Sequence, residues 1–164
     1  MPSELQTEGA GTQNFAARAG KYLTFRLGEE QYGLEIRRVR EIIGMMDITP
    51  VPQMPAHVKG VINLRGQVIP LVDLRLKFGM PPAKYTDATC IIVVNVGALV
   101  GLVVDTVREV LDITAEQIDA PPPLGAAVDT SFLLGMGKVR DGVKILLDAD
   151  KLLNEEIALA ADEA

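Results

Sequence analysis

The segment GLEIRRVREII, residues 33–43, returns as GLVVDTVREVL at residues 101–111. Five of the eleven positions are identical: Gly33/Gly101, Leu34/Leu102, Val39/Val107, Arg40/Arg108 and Glu41/Glu109. Three more exchange one branched aliphatic for another: Ile36/Val104, Ile42/Val110 and Ile43/Leu111. Agreement of that density within a short chain points to duplication, so the fold must be something built twice. A second stretch repeats with a wider offset. GVINLRGQVIPLVDLRL, from Gly60, falls on GMGKVRDGVKILLDADK, from Gly135, and aligns Gly60/Gly135, Arg65/Arg140, Val68/Val143, Leu71/Leu146 and Asp73/Asp148. The offset grows from 68 to 75 residues, which places the seven additional residues in the intervening loops.

A chain of 164 residues is long enough for one domain or two small lobes sharing a core, and buries roughly 70% of its unfolded surface. Hydrophobic residues make up 48% and charged ones 23%, the balance of a globular protein rather than of a disordered tail. Sixteen basic against twenty-two acidic side chains leave a net charge of −6. That balance opposes non-specific contact with phosphate backbones and anionic lipid, so nucleic acid is set aside as a partner. Direct membrane insertion is set aside too. The apolar run CIIVVNVGALVGLVV is broken by Asn95, Gly97 and Gly101, short of the roughly 20 uninterrupted residues a spanning helix needs. The first residues carry no apolar signal stretch, and cytoplasmic residence is the expectation. The one cysteine, Cys90, cannot form an internal disulfide, and its flanks in ATCIIVV predict a buried strand position.

Residues 1–20 lack periodicity and read as a flexible leader, order runs from Lys21 to Ile157, and residues 158–164 form an acidic tail. KYLTFRL and QYGLEI read as antiparallel strands joined through GEE. IRRVREII, with Ile36, Val39 and Ile43 at helical spacing and Arg37 four residues before Glu41, predicts a short helix. Pro50, Pro52 and Pro55 make TPVPQMPAH a stiff loop. GVINLRGQVIPLVDL is a hairpin turning through Arg65-Gly66-Gln67, with Gly66 free to take a positive φ. Pro70 cannot donate to a ladder, so its strand is expected at an edge or with a bulge. A short helix ends at Gly79; TCIIVVNV and LVGLVVD pair across Gly97-Ala98. Beyond the prolines at 121–123, SFLLGMGKV and GVKILLDAD pair across Arg140-Asp141. A closing helix from Ala149 buries Leu152, Leu153 and Ile157. Each half thus offers two hairpins and one V-R-E segment, which suits two small closed β-barrels side by side.

No catalytic constellation emerges. His57 is the sole histidine, and no G-x-S-x-G or catalytic-cysteine context accompanies it. One histidine and one cysteine do not make a structural zinc set, and Asp73, Asp105, Asp148 and Asp150 lack the close alternation of a calcium loop. GMGKVRDG fails as a phosphate loop because Arg140 stands at the third glycine and no K-[ST] follows. The basic patch Arg37, Arg38 and Arg40 is flanked by Glu35 and Glu41 and reads as a solvated face. Asp73 and Asp148 invite comparison with a protease carboxylate pair, but neither is followed by Thr/Ser-Gly. Capping of the short helices that follow is the better reading of both. No cofactor or metal is expected, and elimination leaves a noncatalytic binding module.

YLTFRLGEEQYGLEIRRVREII, PAHVKGVINLRGQVIPLVDLRLKFG and IIVVNVGALVGLVVDTVREVLDITAEQI together resemble the CheW family, the adaptors of bacterial chemotaxis arrays. The likeness runs from about Lys21 to Ile157. It implies a mainly β fold of two pseudo-symmetric five-stranded SH3-like barrels with short helices and a C-terminal helix, and no enzymatic activity. It implies two partners, the cytoplasmic tip of methyl-accepting chemoreceptors and the regulatory domain of the histidine kinase CheA, with contacts to other CheW-like domains in rings as an extension. The receptor-contacting positions match Ile36, Val39, Val107 and Val110, lining a groove between the barrels; plain core packing is the alternative for all four. The kinase-contacting positions match Glu41 and Ile48. Arg65 falls on a position important to array function, either as a contact or structurally by pairing with Asp73. Met45-Met46 and Cys90 depart from the family's usual residues. A scaffold of a related array, such as one controlling surface motility, would share every one of these motifs.

Overall fold

The computed structural model describes residues 15–121 and 131–157. The acidic tail, the first fourteen residues of the leader and Pro122-Pro123 lie outside the described residues. Among the described residues, eleven strands carry the fold: β1 Gly20–Leu27, β2 Glu30–Glu35, β3 Val39–Gly44, β4 Val58–Leu64, β5 Gln67–Asp73, β6 Cys90–Asn95, β7 Leu99–Val104, β8 Thr106–Ile113, β9 Ile118–Asp119, β10 Leu133–Val139 and β11 Gly142–Leu147. Single helical turns stand at α1 Phe15–Arg18, α2 Leu74–Lys77 and α3 Ala149–Leu152. Ahead of Lys21, α1 leads into β1, and Tyr22 Oη donates to the Arg18 carbonyl at 2.6 Å.

The expected helix over IRRVREII does not form. A 3-10 turn occupies Ile36–Arg38 and β3 follows, with side chains alternating between half-buried and exposed along Val39–Gly44. Val39, Ile42 and Ile43 are β-branched and lose less side-chain freedom in a strand than in a helix. Its repeat mate, TVREVL, lies in β8.

The strands form two sheets, ordered β8-β1-β2-β11-β10-β9 and β3-β6-β7-β5-β4. Set aside the two-residue β9, which makes the first sheet six-stranded rather than the expected five. What remains of the first order becomes the second when each strand is replaced by its repeat mate. The halves are nonetheless not one barrel each. Strands β1 and β2 come from the first half but share a sheet with β8, β10 and β11 from the second, while β6 and β7 share one with β3, β4 and β5. The repeated segment is where the chain changes sheet: Gly33-Leu34 and Val39–Ile43 lie in different sheets, as do Gly101-Leu102 and Val107–Leu111.

Two parallel ladders join the halves, β2 with β11 and β5 with β7, and all other strand pairs are antiparallel. In these ladders Gly33 stands opposite Leu146 and Gly101 opposite Leu71. A Cβ at either glycine would lie 3.0 Å from a δ-methyl of that leucine. The two offsets seen in the sequence meet here, since the glycines belong to one repeat alignment and the leucines to the other.

Burial falls into three clusters. Ile62, Ile69, Leu71, Ile91, Val93 and Val103 fill the second sheet's interior; Tyr22, Ile113, Ile118 and Leu146 fill the first's. The largest cluster draws on both sheets and on α3, from Leu23, Phe25, Leu27 and Leu34 to Ile92, Val94, Leu102, Val104 and Leu152. Central strands thus bury both faces, Ile91 and Val93 inward and Ile92 and Val94 toward the seam. This is why CIIVV reads as an unbroken apolar run.

Two local expectations are corrected. Strand β5 is not at an edge, since β4 and β7 flank it. Pro70 is tolerated because the ladder with β7 spans only Leu71–Asp73 and so begins after it, and the nearest register shift lies in β4 between Val58 and Gly60. Cys90 is half-buried at the start of β6, its thiol donating to the Ala88 carbonyl at 3.2 Å. The hairpin turn after β4 uses Arg65 at φ 52° and Gly66 at φ 88°, the paired positive angles that match strand twist.

Gly60, at φ 140°, lets the proline loop close onto β4, because a Cβ there would lie 2.2 Å from the Thr49 carbonyl oxygen. Gly66 has open space around it. Gly60→Ala should therefore cost about 3 kcal/mol or more, overpacking added to backbone strain, while Gly66→Ala should cost about 1 kcal/mol, from strain alone. Urea midpoints of the two variants measure the difference.

Candidate functional site

Strands β3 and β8 are matched outer strands, each last in its sheet order at the same end. Each V-R-E carries a register shift, in β3 between Val39 and Glu41 and in β8 between Val107 and Val110. The repeated tripeptide is thus a pair of β-bulges, which bend a strand and end its regular pairing. Buried Thr24 stabilises the second, accepting from the Glu109 amide at 3.1 Å and donating to its carbonyl at 2.8 Å.

Of the four aliphatics matched to receptor contact, Ile36, Val39 and Val107 are half-buried against the seam cluster. Val110 instead stands 49% exposed, and its repeat mate Ile42 is 42% exposed. A cavity of about 200 Å³ opens beside Ile36, lined by Tyr22, Arg18, Lys21, Glu35 and Arg37.

Glu41 and Arg65 meet as an ion pair between β3 and the β4–β5 turn. The expected partner of Arg65, Asp73, is engaged elsewhere. Its buried carboxylate caps α2, accepting from the Arg75 amide at 3.0 Å and the Leu76 amide at 3.4 Å, and takes the Tyr85 hydroxyl at 2.9 Å. Asp148 caps α3 through the Lys151 amide at 3.2 Å. The capping reading of both aspartates holds, and burial with the bond to Asp73 drives the Tyr85 pKa upward. Ile48 lies beside Thr49, which pairs with Val61, and rests with Met45 and Met46 against the second sheet's interior. Glu41 and Arg65 thus meet at the β4–β5 turn, and Ile48 packs against the interior of the same barrel. The exposed Val68 lies on the same hairpin, and its mate Val143 occupies the matching place on the first barrel.

Residues 21–156 match the CheW-like domain family. The chain belongs to the CheW family. It is 42% identical over 146 residues to the chemotaxis protein CheW of Klebsiella aerogenes, covering 88% of each chain. It is 32% identical over 136 residues to FrzA of Myxococcus xanthus, covering 81% of this chain and 84% of that one. The crystal structure of the scaffolding protein TtCheW from Thermoanaerobacter tengcongensis matches with a TM-score of 0.73 and 38% identity, over 79% of this chain and 88% of that one.

Within this CheW-family fold, two ion pairs that sequence reading missed fasten the seam. Arg75 on α2 grips Asp105, at the β7–β8 crossover, through Nε at 2.8 Å and Nη2 at 2.6 Å. Asp105 also accepts the Gly28 amide at 2.7 Å, which ties the β1–β2 turn to the same point. Arg38, in the β2–β3 crossover, pairs with Asp150 on α3. The signal was present in sequence, because Arg75 and Asp150 each follow a capping aspartate by two residues, but only the fold supplies their partners.

A third cluster anchors the C-terminal turn. Fully buried Glu156 lies 2.7 Å from His57 Nε2 and accepts Lys77 Nζ at 2.9 and 3.1 Å. His57, Glu155 and Glu156 bring potential metal-ligand atoms within 4.8 Å of one another. The Lys77 ammonium already occupies the cation's place at Glu156, so the group fits an anchor better than a metal centre. Across the seam, Phe25, Tyr32, Phe78 and Phe132 stack in a row with centroids 5.6–5.7 Å apart. Among the described residues no helix is long and apolar enough to cross a membrane.

The hydrogen bond from Arg75 holds the Asp105 carboxyl below its ordinary range. A depressed folded-state pKa contributes stability that is present above the unfolded value, about 3.9, and is lost as pH falls through the folded value. Asp105→Asn should therefore be less stable than the parent at pH 7 and converge with it as pH drops below about 4. Urea midpoints across that range give the test, and parallel acid limbs would contradict it.

Proposed function

We propose that this CheW-family chain is a noncatalytic adaptor coupling methyl-accepting chemoreceptors to the histidine kinase CheA, cytoplasmic and recruited to receptor arrays. One observation carries the reading. A fold shared with a scaffolding protein presents matched outer strands, with Val39 and Val107 at the seam margin and Ile42 and Val110 facing solvent. An apolar ridge of a receptor helix laid along Ile36, Val39, Val107 and Val110 meets i/i+3/i+4 side chains with branched aliphatics. The kinase's regulatory domain docks at the second barrel's end, on Glu41 and Ile48, where Arg65 holds the Glu41 carboxylate in place. The doubled barrels also give head-to-tail contacts a route to rings with other CheW-like domains.

Co-sedimentation with receptor fragments, with and without CheA, tests both contacts at once; retention by neither partner overturns the proposal. Because Val110 is exposed and Val39 half-buried, their lysine variants divide contact from packing. Val110→Lys should lower receptor binding at least fivefold with an unchanged melting temperature, whereas Val39→Lys should lose both binding and thermal stability. Binding by Val110→Lys at the parent level removes Val110 from the contact. For the kinase face, Ile48→Asp should weaken CheA binding by on the order of 2 kcal/mol or more. Ile48 also rests on the barrel core, so the titration is run below the variant's melting transition, and an unaltered affinity there refutes its role.

A further inference from the structure

The two ion pairs that fasten the short helices to the crossovers have opposite polarity. In one the helix supplies the cation and the crossover the anion, Arg75 with Asp105; in the other the helix supplies the anion and the crossover the cation, Asp150 with Arg38. Arg75 and Asp150 are repeat mates, and Arg38 follows Arg37, the mate of Asp105, by one residue. Native stability does not require this reversal, since either polarity makes a pair.

The reversal matters for pairings that do not occur. Because the two halves share one strand order, a first half presents much the same backbone outline to another first half as to its own second half. Charge separates the two cases. The first half carries both arginines, Arg38 and Arg75, and the second both aspartates, Asp105 and Asp150. Joining like halves sets arginine against arginine or aspartate against aspartate at both fastening points. The four side chains are only 20–45% exposed, so solvent screens them incompletely, and like charges so placed are costly.

We propose that the reversed polarity is a pairing code that admits only first half with second half and suppresses assembly of like halves from two chains. Such exchange is the characteristic hazard of duplicated folds.

The test uses the full chain, refolded from urea at high concentration, with the two-chain fraction read by size-exclusion chromatography with light scattering. R38D/D150R keeps both native pairs but gives both helices arginine and both crossovers aspartate, so like halves now attract. It should raise the two-chain fraction at least fivefold over the parent, and R75D/D105R should do the same by the other route. About 1 M salt should narrow the gap, because the Debye length then falls to about 3 Å. Reversing all four residues restores opposite polarity and should return the parent's monomer. Double variants no more dimeric than the parent, or a fourfold variant as dimeric as the doubles, would overturn the proposal. Thermal melts of the monomer fraction establish the native fold, and if R38D/D150R does not refold, R75D/D105R decides on the same terms.

Discussion

The fold depends on two close approaches of glycine to leucine across parallel strands, Gly33 over Leu146 and Gly101 over Leu71. Parallel neighbours cannot come from one hairpin, and here each such ladder joins strands from different halves. Neither barrel can close without the other half of the chain. A Cβ at either glycine would press on the facing leucine methyl and force it to give by a few tenths of an ångström at the point where the halves exchange. That restriction accounts for the identity of both glycines in the repeat, and it orders everything outward: ladder, then crossover, then bulge, then exposed outer strand.

Exchange also explains where the apolar surface goes. The interiors of the two barrels hold six and four buried hydrophobic residues among those described, whereas the shared cluster holds sixteen. Barrels of this size are marginal alone, and the seam supplies most of the burial. The polar fastenings lie around that cluster rather than within it. Arg75–Asp105 and Arg38–Asp150 keep partial solvent exposure, which limits the desolvation cost a fully buried pair would carry. Glu156 is the exception, fully buried, and it has both Lys77 and His57 as partners.

How much of this was legible in the sequence divides along the same line. Hairpins were readable from turn chemistry: Gly28, Arg65-Gly66 and Gly97 stand where chains reverse. Capping by Asp73 and Asp148 was readable because an aspartate ending a strand before an apolar turn has few other uses. Ile36–Ile43 misled, since spacings of three and four residues arise equally from a 3-10 turn followed by a strand. The exchange of halves left no local mark. One half per barrel and swapped halves have the same strands in the same order, and only the pairs between halves distinguish them: β1 with β8, β3 with β6 and the two parallel ladders. For the candidate site, the four aliphatics were found through the repeat, but which of them face solvent depends on the bulge in β8, which shifts the register between Val107 and Val110. Of the two readings of Arg65, pairing with Asp73 does not occur, because Asp73 is taken up by the Arg75 and Leu76 amides, which sequence spacing alone does not display.

Duplication gives this adaptor two surfaces with one backbone plan, and their chemistry differs where it is exposed. At the second barrel's end Glu41 is held by Arg65. At the matching place on the first barrel the backbone of Glu109 is tied to Thr24, and the turn aspartate Asp141 faces Lys144 at 3.2 Å. Apolar mates persist at both, Ile42 with Val110 and Val68 with Val143. Under the proposed function, common apolar positions give both barrels affinity for similar surfaces, while the unlike charges beside them decide which partner each surface accepts. A symmetric pair of surfaces would bind one partner twice. On that proposal, divergence of the polar residues around a retained apolar frame is what lets a duplicated fold couple two different proteins.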